Sequence, residues 1–296
     1  TDLKAKKNET ELRCMENAHV KDGVAVVRFA KWLKENIGKI EITEMSAGDK
    51  VLEFRQMGED FLYPSFDTIA GYGPHGAMNH YKAEPDTNLT LEPKGLFLLD
   101  SGGQYLDGTT DITRTFALGE LTEQEREDYT LTLKCHLSLG NAIFREGTAG
   151  CHLDVLARKD IWSRGIDFNH GTGHGVGFFL NIHEGPMSIG KNYVQVPLEV
   201  GMVISNEPGV YRAGSHGIRI ENLVAVQPKF STEFGNFFCF KNLTLCPYDL
   251  DAIKVDMLTS EEIDLINAYH KEVFEKLSPS LNEEETAWLK EVTKAI

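Results

Sequence analysis

The chain has 296 residues, 41% of them hydrophobic and 25% charged, and carries a formal net charge of −15. That length suits one large domain or two ordinary ones with a substantial core, and the acidic balance, with no basic stripe, argues against nucleic acid or an anionic membrane as partner. No run approaches the roughly 18 apolar residues of a membrane span, and no signal-peptide pattern opens the chain.

The opening segment TDLKAKKNETE is charged and reads as the continuation of a longer chain. Asn8 and Glu11 then form a capping-box pair, predicting a helix to about Asn36 with Leu12, Met15, Val26, Phe29 and Leu33 on one face. Thr43 to about Met57 reads as a second helix. From Ser65 to His80 the text turns to Gly, Pro and His, a strand running into an irregular loop. Strands are predicted over Asn88–Leu91 and within Leu96–Thr115.

Thr122 with Glu125 opens a helix expected to reach about Glu146, and Cys151–Ser163 reads as another, closed by Gly165. Ile166–Pro186 is rich in glycine and histidine. Strand-like segments follow at Met202–Ser205, Val210–Arg212 and Gly217–Val226. Thr259 with Glu262 and Asn282 with Glu285 cap two last helices, to about Leu277 and Lys294. Helices first, then strands alternating with helices, then a helical tail predict one α+β domain.

Five cysteines without a CxxC favour reduced thiols and a cytosolic protein. Sequons at Asn8, Asn88 and Asn242 pull the other way, but Asn8 already serves as a cap and short N-x-T strings arise by chance.

The chemistry concentrates around Gly95–Thr115, GLFLLDSGGQYLDGTTDITRT. A buried apolar strand runs into Asp100, and the turn signal Asp107-Gly108 folds Asp111 back towards it. Asp107 is what the turn itself wants. For Asp100 and Asp111 the ordinary reading is also a pair of solvated turn aspartates. The other reading is a cation between two carboxylates that, side by side at a buried strand end, repel and are costly to desolvate. Matching ligands elsewhere in the chain tip the balance to it. Candidate partners recur downstream as His174, Glu207 and Glu221, with His80, His170 and His183 nearby in the pattern. His170 and His174 have the four-residue spacing of a helical zinc site, but the intervening Gly-Thr-Gly makes the segment a strand or loop. Glu221 is flanked by apolar residues, with a salt bridge to Arg219 as the ordinary alternative.

These residues in this order (LDSGGQYLDGTTDITRT, HGTGHGVGFFLNIHEGP, NEPGVY, GIRIEN) resemble the metal-ligand motifs of the pita-bread hydrolases, which include methionine aminopeptidases, prolidases and Xaa-Pro aminopeptidases. The chain most resembles the eukaryotic cytosolic type of Xaa-Pro aminopeptidase over nearly its whole length. The resemblance implies a pita-bread fold over residues 1–245, a C-terminal helical extension over 246–296, and further domains upstream that this chain lacks. It implies two divalent ions held by Asp100, Asp111, His174, Glu207 and Glu221, with Asp111 and Glu221 bridging. An oxygen-rich set with one imidazole suits Mn²⁺, with Co²⁺ or Zn²⁺ open.

By the same resemblance His80 helps stabilise the transition state, His183 contacts the substrate, His170 lines the pocket, Arg219 orients a ligand carboxylate and Tyr211 approaches the site. His75 has no counterpart and reads as a loop residue. The expected activity is removal of an N-terminal residue that precedes proline. The alternatives are a prolidase restricted to dipeptides and a non-catalytic module that binds peptides or histones. A homodimer anchored by Trp162 is also expected.

Overall fold

Helix starts fall where the capping boxes predict them in the computed structural model, which describes residues 2–296. Asn8, Thr122, Thr259 and Asn282 each accept from the backbone three residues on, and open Glu9–Asn36, Glu123–Gly140, Ser260–Leu277 and Glu283–Val292. Each such cap is worth about 1 kcal/mol. Thr43 caps Glu44–Gln56 through Ser46. The long first helix buries Met15, Val26, Phe29 and Leu33, with Phe29 set edge-on against Phe116 at 6.0 Å.

Among the described residues the strands form five antiparallel sheets, and two of them frame the site. Leu96–Ser101 lies between Ile69–Tyr72 and Ile112–Ala117, with Asp100 opposite Thr113. A four-stranded sheet runs Val203–Asn206, Asn222–Thr232, Gly235–Asn242, Ile143–Arg145. The sheets meet where Thr113 bridges Glu221. Between Asp100 and Asp111 the chain leaves the first sheet at Gly102, where a Cβ would lie 2.0 Å from the Thr110 carbonyl oxygen, and makes the small turn strands Gly103–Tyr105 and Gly108–Thr109.

Four expected elements come out differently. The helix opened by Thr122 stops at Gly140, and Ile143–Arg145 becomes a strand because Phe144 packs between Phe238 and Phe240. Its partner Gly235–Asn242 is a strand the sequence pattern did not signal. Cys151–Ser163 is not one helix but the short pieces Gly150–Leu153, Asp154–Ala157 and Lys159–Trp162. Arg158 turns inward there, bonding Asp154, Asp167, the carbonyls of Phe168 and His170, and Thr172. Asn88–Leu91 pairs only as a bridge between Thr90 and Thr43, since the Asn88 side chain and the Leu89 amide are spent on the Glu44 helix start. Gly217–Val226 breaks between His216–Arg219 and Asn222–Thr232, and the Glu221 amide turns to the Thr113 carbonyl.

The terminal helices share one core with the rest of the chain: Tyr269, Val273 and Leu289 pack in the same cluster as Val27, Leu133 and Ile220. The fully buried Arg114 ties them to the sheets, donating to the Glu221 and Cys246 carbonyls, the Asn222 side chain and the Tyr269 hydroxyl. Among the described residues no helix is long and apolar enough to cross a membrane.

Candidate metal centre

One cavity of about 590 Å³ opens at the junction of the sheets, and the carboxylates the sequence singled out line it together: Asp100, Asp111, Glu207 and Glu221. Each arrives by local sequence logic. Asp100 is the penultimate residue of a fully buried strand. Asp111 precedes the returning strand, and the period of two puts Thr113 on its face. Glu207 follows Val203–Asn206, and Glu221 sits at the break before Asn222–Thr232.

His174, on the two-residue strand Gly173–His174, points Nε2 to within 3.5 Å of Asp111 and 3.3 Å of Glu207. Its Nδ1 lies 3.1 Å from the Gly175 carbonyl, a contact that leaves Nε2 as the ring nitrogen turned to the carboxylates. Ligand atoms of Asp111, His174 and Glu221 all fall within 4.8 Å of one another. His183 stands at 84° against the His174 ring, centroids 4.2 Å apart.

The electrostatics of this cluster are those of a cation site. Burial, then the neighbouring carboxylates Asp100 and Glu207, push the Asp111 carboxyl well above its ordinary value. Burial, then Asp111, does the same to Glu221. Glu207 is raised by burial despite His174 and Arg219. One oxygen on each of Asp100, Asp111 and Glu221 is buried without a hydrogen-bond partner. Buried carboxylate oxygens left bare are rare, because each costs the full desolvation penalty. Bare oxygens converging with an imidazole nitrogen fit a hard divalent ion, whose charge would replace the missing partners.

The remaining oxygens are held in place. Thr113 Oγ1 donates to Glu221 at 2.6 Å, and Ser205 Oγ donates to Glu207 at 2.9 Å while accepting the His174 amide. Neither hydroxyl was singled out from sequence; each lies two residues from a candidate ligand, and that spacing was the available signal. Arg219 does not pair with Glu221. Its guanidinium donates to Asp100 Oδ2 at 2.6 Å and to the Tyr211 hydroxyl at 3.0 Å. Tyr211 in turn donates to His170 Nε2 at 2.8 Å, whose Nδ1–H faces the Gly171 carbonyl. Asp100, Arg219, Tyr211 and His170 thus form one relay along the cavity wall. Burial lowers the His170 imidazole to about 4 and raises the Tyr211 phenol to about 12, so both stay neutral at pH 7.

His80 lines the same cavity, near enough to His170 and His183 to disfavour protonation of both. His75 lies outside the lining. It bonds the fully buried Glu44 at 2.9 Å and lies 4.3 Å from the Tyr81 ring, so its work is to hold the loop that carries His80.

Comparison with known proteins agrees with this geometry. A model of metallopeptidase family M24 matches residues 13–228, and one of the C-terminal region of that peptidase family matches residues 236–296. A probable Xaa-Pro aminopeptidase P of Tuber melanosporum is 47% identical over 301 residues, covering 99% of this chain and 49% of the relative. The crystal structure of X-prolyl aminopeptidase from Caenorhabditis elegans, described as a cytosolic enzyme with a di-nuclear active site, is similar at a TM-score of 0.96. It is 38% identical over 99% of this chain and 49% of its own. An Xaa-Pro dipeptidase from Bacillus anthracis gives a TM-score of 0.70 at 28% identity, over 84% of this chain and 64% of its own. The chain spans about half the length of the relatives it matches. The pita-bread fold expected from the motifs is the fold observed, and the chain belongs to metallopeptidase family M24.

Proposed function

We propose that this chain is the catalytic part of an Xaa-Pro aminopeptidase, a hydrolase that releases the N-terminal residue of peptides whose second residue is proline. The observation that carries this reading is the convergence of Asp100, Asp111, His174, Glu207 and Glu221 in one cavity, with bare oxygens on three of them. Two divalent ions, Mn²⁺ by preference, would supply polarisation of the scissile carbonyl and a water acidic enough to attack at neutral pH. In this assignment Asp111 and Glu221 would be shared by the two ions, Asp100 would help hold one, and His174 with Glu207 would help hold the other.

The chain's own residues do the rest. Arg219 fixes the Asp100 carboxylate and offsets one negative charge of the set. His80 and His183 flank the proline ring and the developing negative charge on the carbonyl oxygen. A tertiary amide has no N–H, so the pocket that selects proline uses ring faces and apolar walls such as Phe66 and Ile182. His170, held neutral by burial and oriented by Tyr211, lines the substrate side without competing for the ions.

The prolidase reading is weaker, because the dipeptidase comparison leaves more of the chain unmatched than the aminopeptidase one. A non-catalytic module is disfavoured by the intact ligand set. Residues 1–245 form the catalytic unit in this reading and 246–296 the extension packed on it; the protein acts in the cytoplasm as a homodimer. Turnover of Xaa-Pro-Xaa peptides against Xaa-Pro dipeptides after Mn²⁺ loading tests the assignment. Cleavage confined to dipeptides would replace it with the prolidase reading, and absence of bound metal would remove both.

A further inference from the structure

Ile182 and His183, which line the metal cavity, also line a second hollow of about 520 Å³ beside it. Its lining is drawn from distant segments: Tyr63 and Ser65, Gln104, and Phe179 and Leu180. Tyr63 is 54% exposed, Phe179 38% and Leu180 40%, so three large apolar side chains stand open around one groove beside the site. Among the described residues lining it none is Asp, Glu, Lys or Arg.

The groove is built rather than left over. Phe179 has φ +50°, a left-handed conformation that a bulky residue adopts rarely and at a cost in strain. The loop is held there by the Gln104 amide donating to the Leu180 carbonyl at 2.7 Å, while Gln104 accepts from Thr109 at 2.6 Å. The Gly177 amide bonds the Asn181 carbonyl at 3.0 Å, closing the turn. Strain and bracing that keep apolar side chains in water mark a surface shaped for a ligand.

We propose that this groove receives the substrate chain beyond the proline, with Tyr63, Phe179 and Leu180 selecting an apolar third residue. This rests on the aminopeptidase reading, in which His183 flanks the proline, so the next residue lies on the far side of His183. An aminopeptidase needs one closed end for the amino terminus and one open side for a chain of any length. The uncharged lining offers no cation to a free carboxylate, which disfavours a dipeptide ending at that point and an acidic third residue alike.

The test compares Ala-Pro-Leu-amide with Ala-Pro-Asp-amide on the Mn²⁺-loaded chain and on its Leu180→Asp and Tyr63→Ala variants, with metal content and melting temperature as folding controls. The expected result is a preference for Leu of about tenfold or more in kcat/KM, carried by KM. It should collapse in Leu180→Asp and weaken in Tyr63→Ala. No preference in the parent, or one that both variants leave intact, overturns the proposal. So does a shift in selectivity at the first residue, or a dimer that the variants dissociate, which would give the groove to a second copy. If no peptide is cleaved, the aminopeptidase reading fails separately, and calorimetric binding of the same two amides still reads the groove's preference.

Discussion

Glu221→Gln tests the metal assignment most directly, because the same change should act with opposite sign on the metal-free and metal-loaded protein. Gln keeps the shape and can still accept from Thr113, which bonds one Glu221 oxygen at 2.6 Å. What it removes is a charge that shares a cluster with Asp111 and His174 within 4.8 Å. At an effective dielectric of about 20, two carboxylates at that separation repel by about 3 kcal/mol. Burial and Asp111 raise the Glu221 carboxyl above its unfolded value. Its contribution to metal-free stability is therefore intact at low pH and is lost as pH rises through the folded value.

Metal-free Glu221→Gln should accordingly be more stable than the parent at pH 8, with the gain fading towards pH 5. In Mn²⁺ the order should reverse. A ligand at about 100 times its Kd stabilises by about 2.7 kcal/mol, and the variant forfeits that increment for at least one ion. Each kcal/mol corresponds to about 2–4 °C in melting temperature for a chain approaching this size. Thermal unfolding in chelator and in Mn²⁺ at both pH values, with elemental analysis, measures all of it. Full two-ion occupancy in the variant, or a metal-free variant less stable than the parent at pH 8, would overturn the assignment of Glu221 as a shared ligand.

Other consequences are independent of that one. His80→Ala and His183→Ala should each keep both ions yet lose about two or more orders of magnitude in turnover of an Xaa-Pro-Xaa peptide, the size seen for a single transition-state donor; near-normal turnover with intact metal would return that histidine to a structural role. Asp22 is buried against Arg55 at 2.7 Å and the Tyr105 hydroxyl at 2.8 Å. Burial alone would push its carboxyl up, but Arg55 and Tyr105 hold it below the ordinary value. Asp22→Asn should cost about 3–5 kcal/mol at pH 7. That gap should close as pH falls below about 4 and through the lower folded value, and a denaturant series showing a pH-independent gap would refute the pairing. Trp162 is 45% exposed at the end of Lys159–Trp162; if it anchors a dimer, light scattering should give a dimer for the parent and a monomer for Trp162→Glu at micromolar concentration.

Helix starts were legible from the residues alone, because a capping box closes within three residues and needs nothing distant: Asn8, Thr122, Thr259 and Asn282 each carry their own partner. The candidate ligands were legible too, Asp100 and Glu221 as carboxylates in apolar strand text and the set of five through the motifs that carry the family resemblance, although a salt bridge to Arg219 was the ordinary alternative for Glu221. Tertiary structure decided what those groups touch. Arg219 is two residues from Glu221 in sequence, yet it bonds Asp100 because the strand breaks at Ile220 and Glu221 turns to Thr113. Arg158 breaks a predicted helix for partners at Asp167, His170 and Thr172, and Ile143–Arg145 leaves a predicted helix to pair with Gly235–Asn242. The groove beyond His183 joins Tyr63, Gln104 and Leu180. Local hydrogen bonds are satisfied by neighbours the sequence displays, whereas burial and charge are satisfied by whichever group the folded chain brings near. That choice depends on the packing of the whole chain.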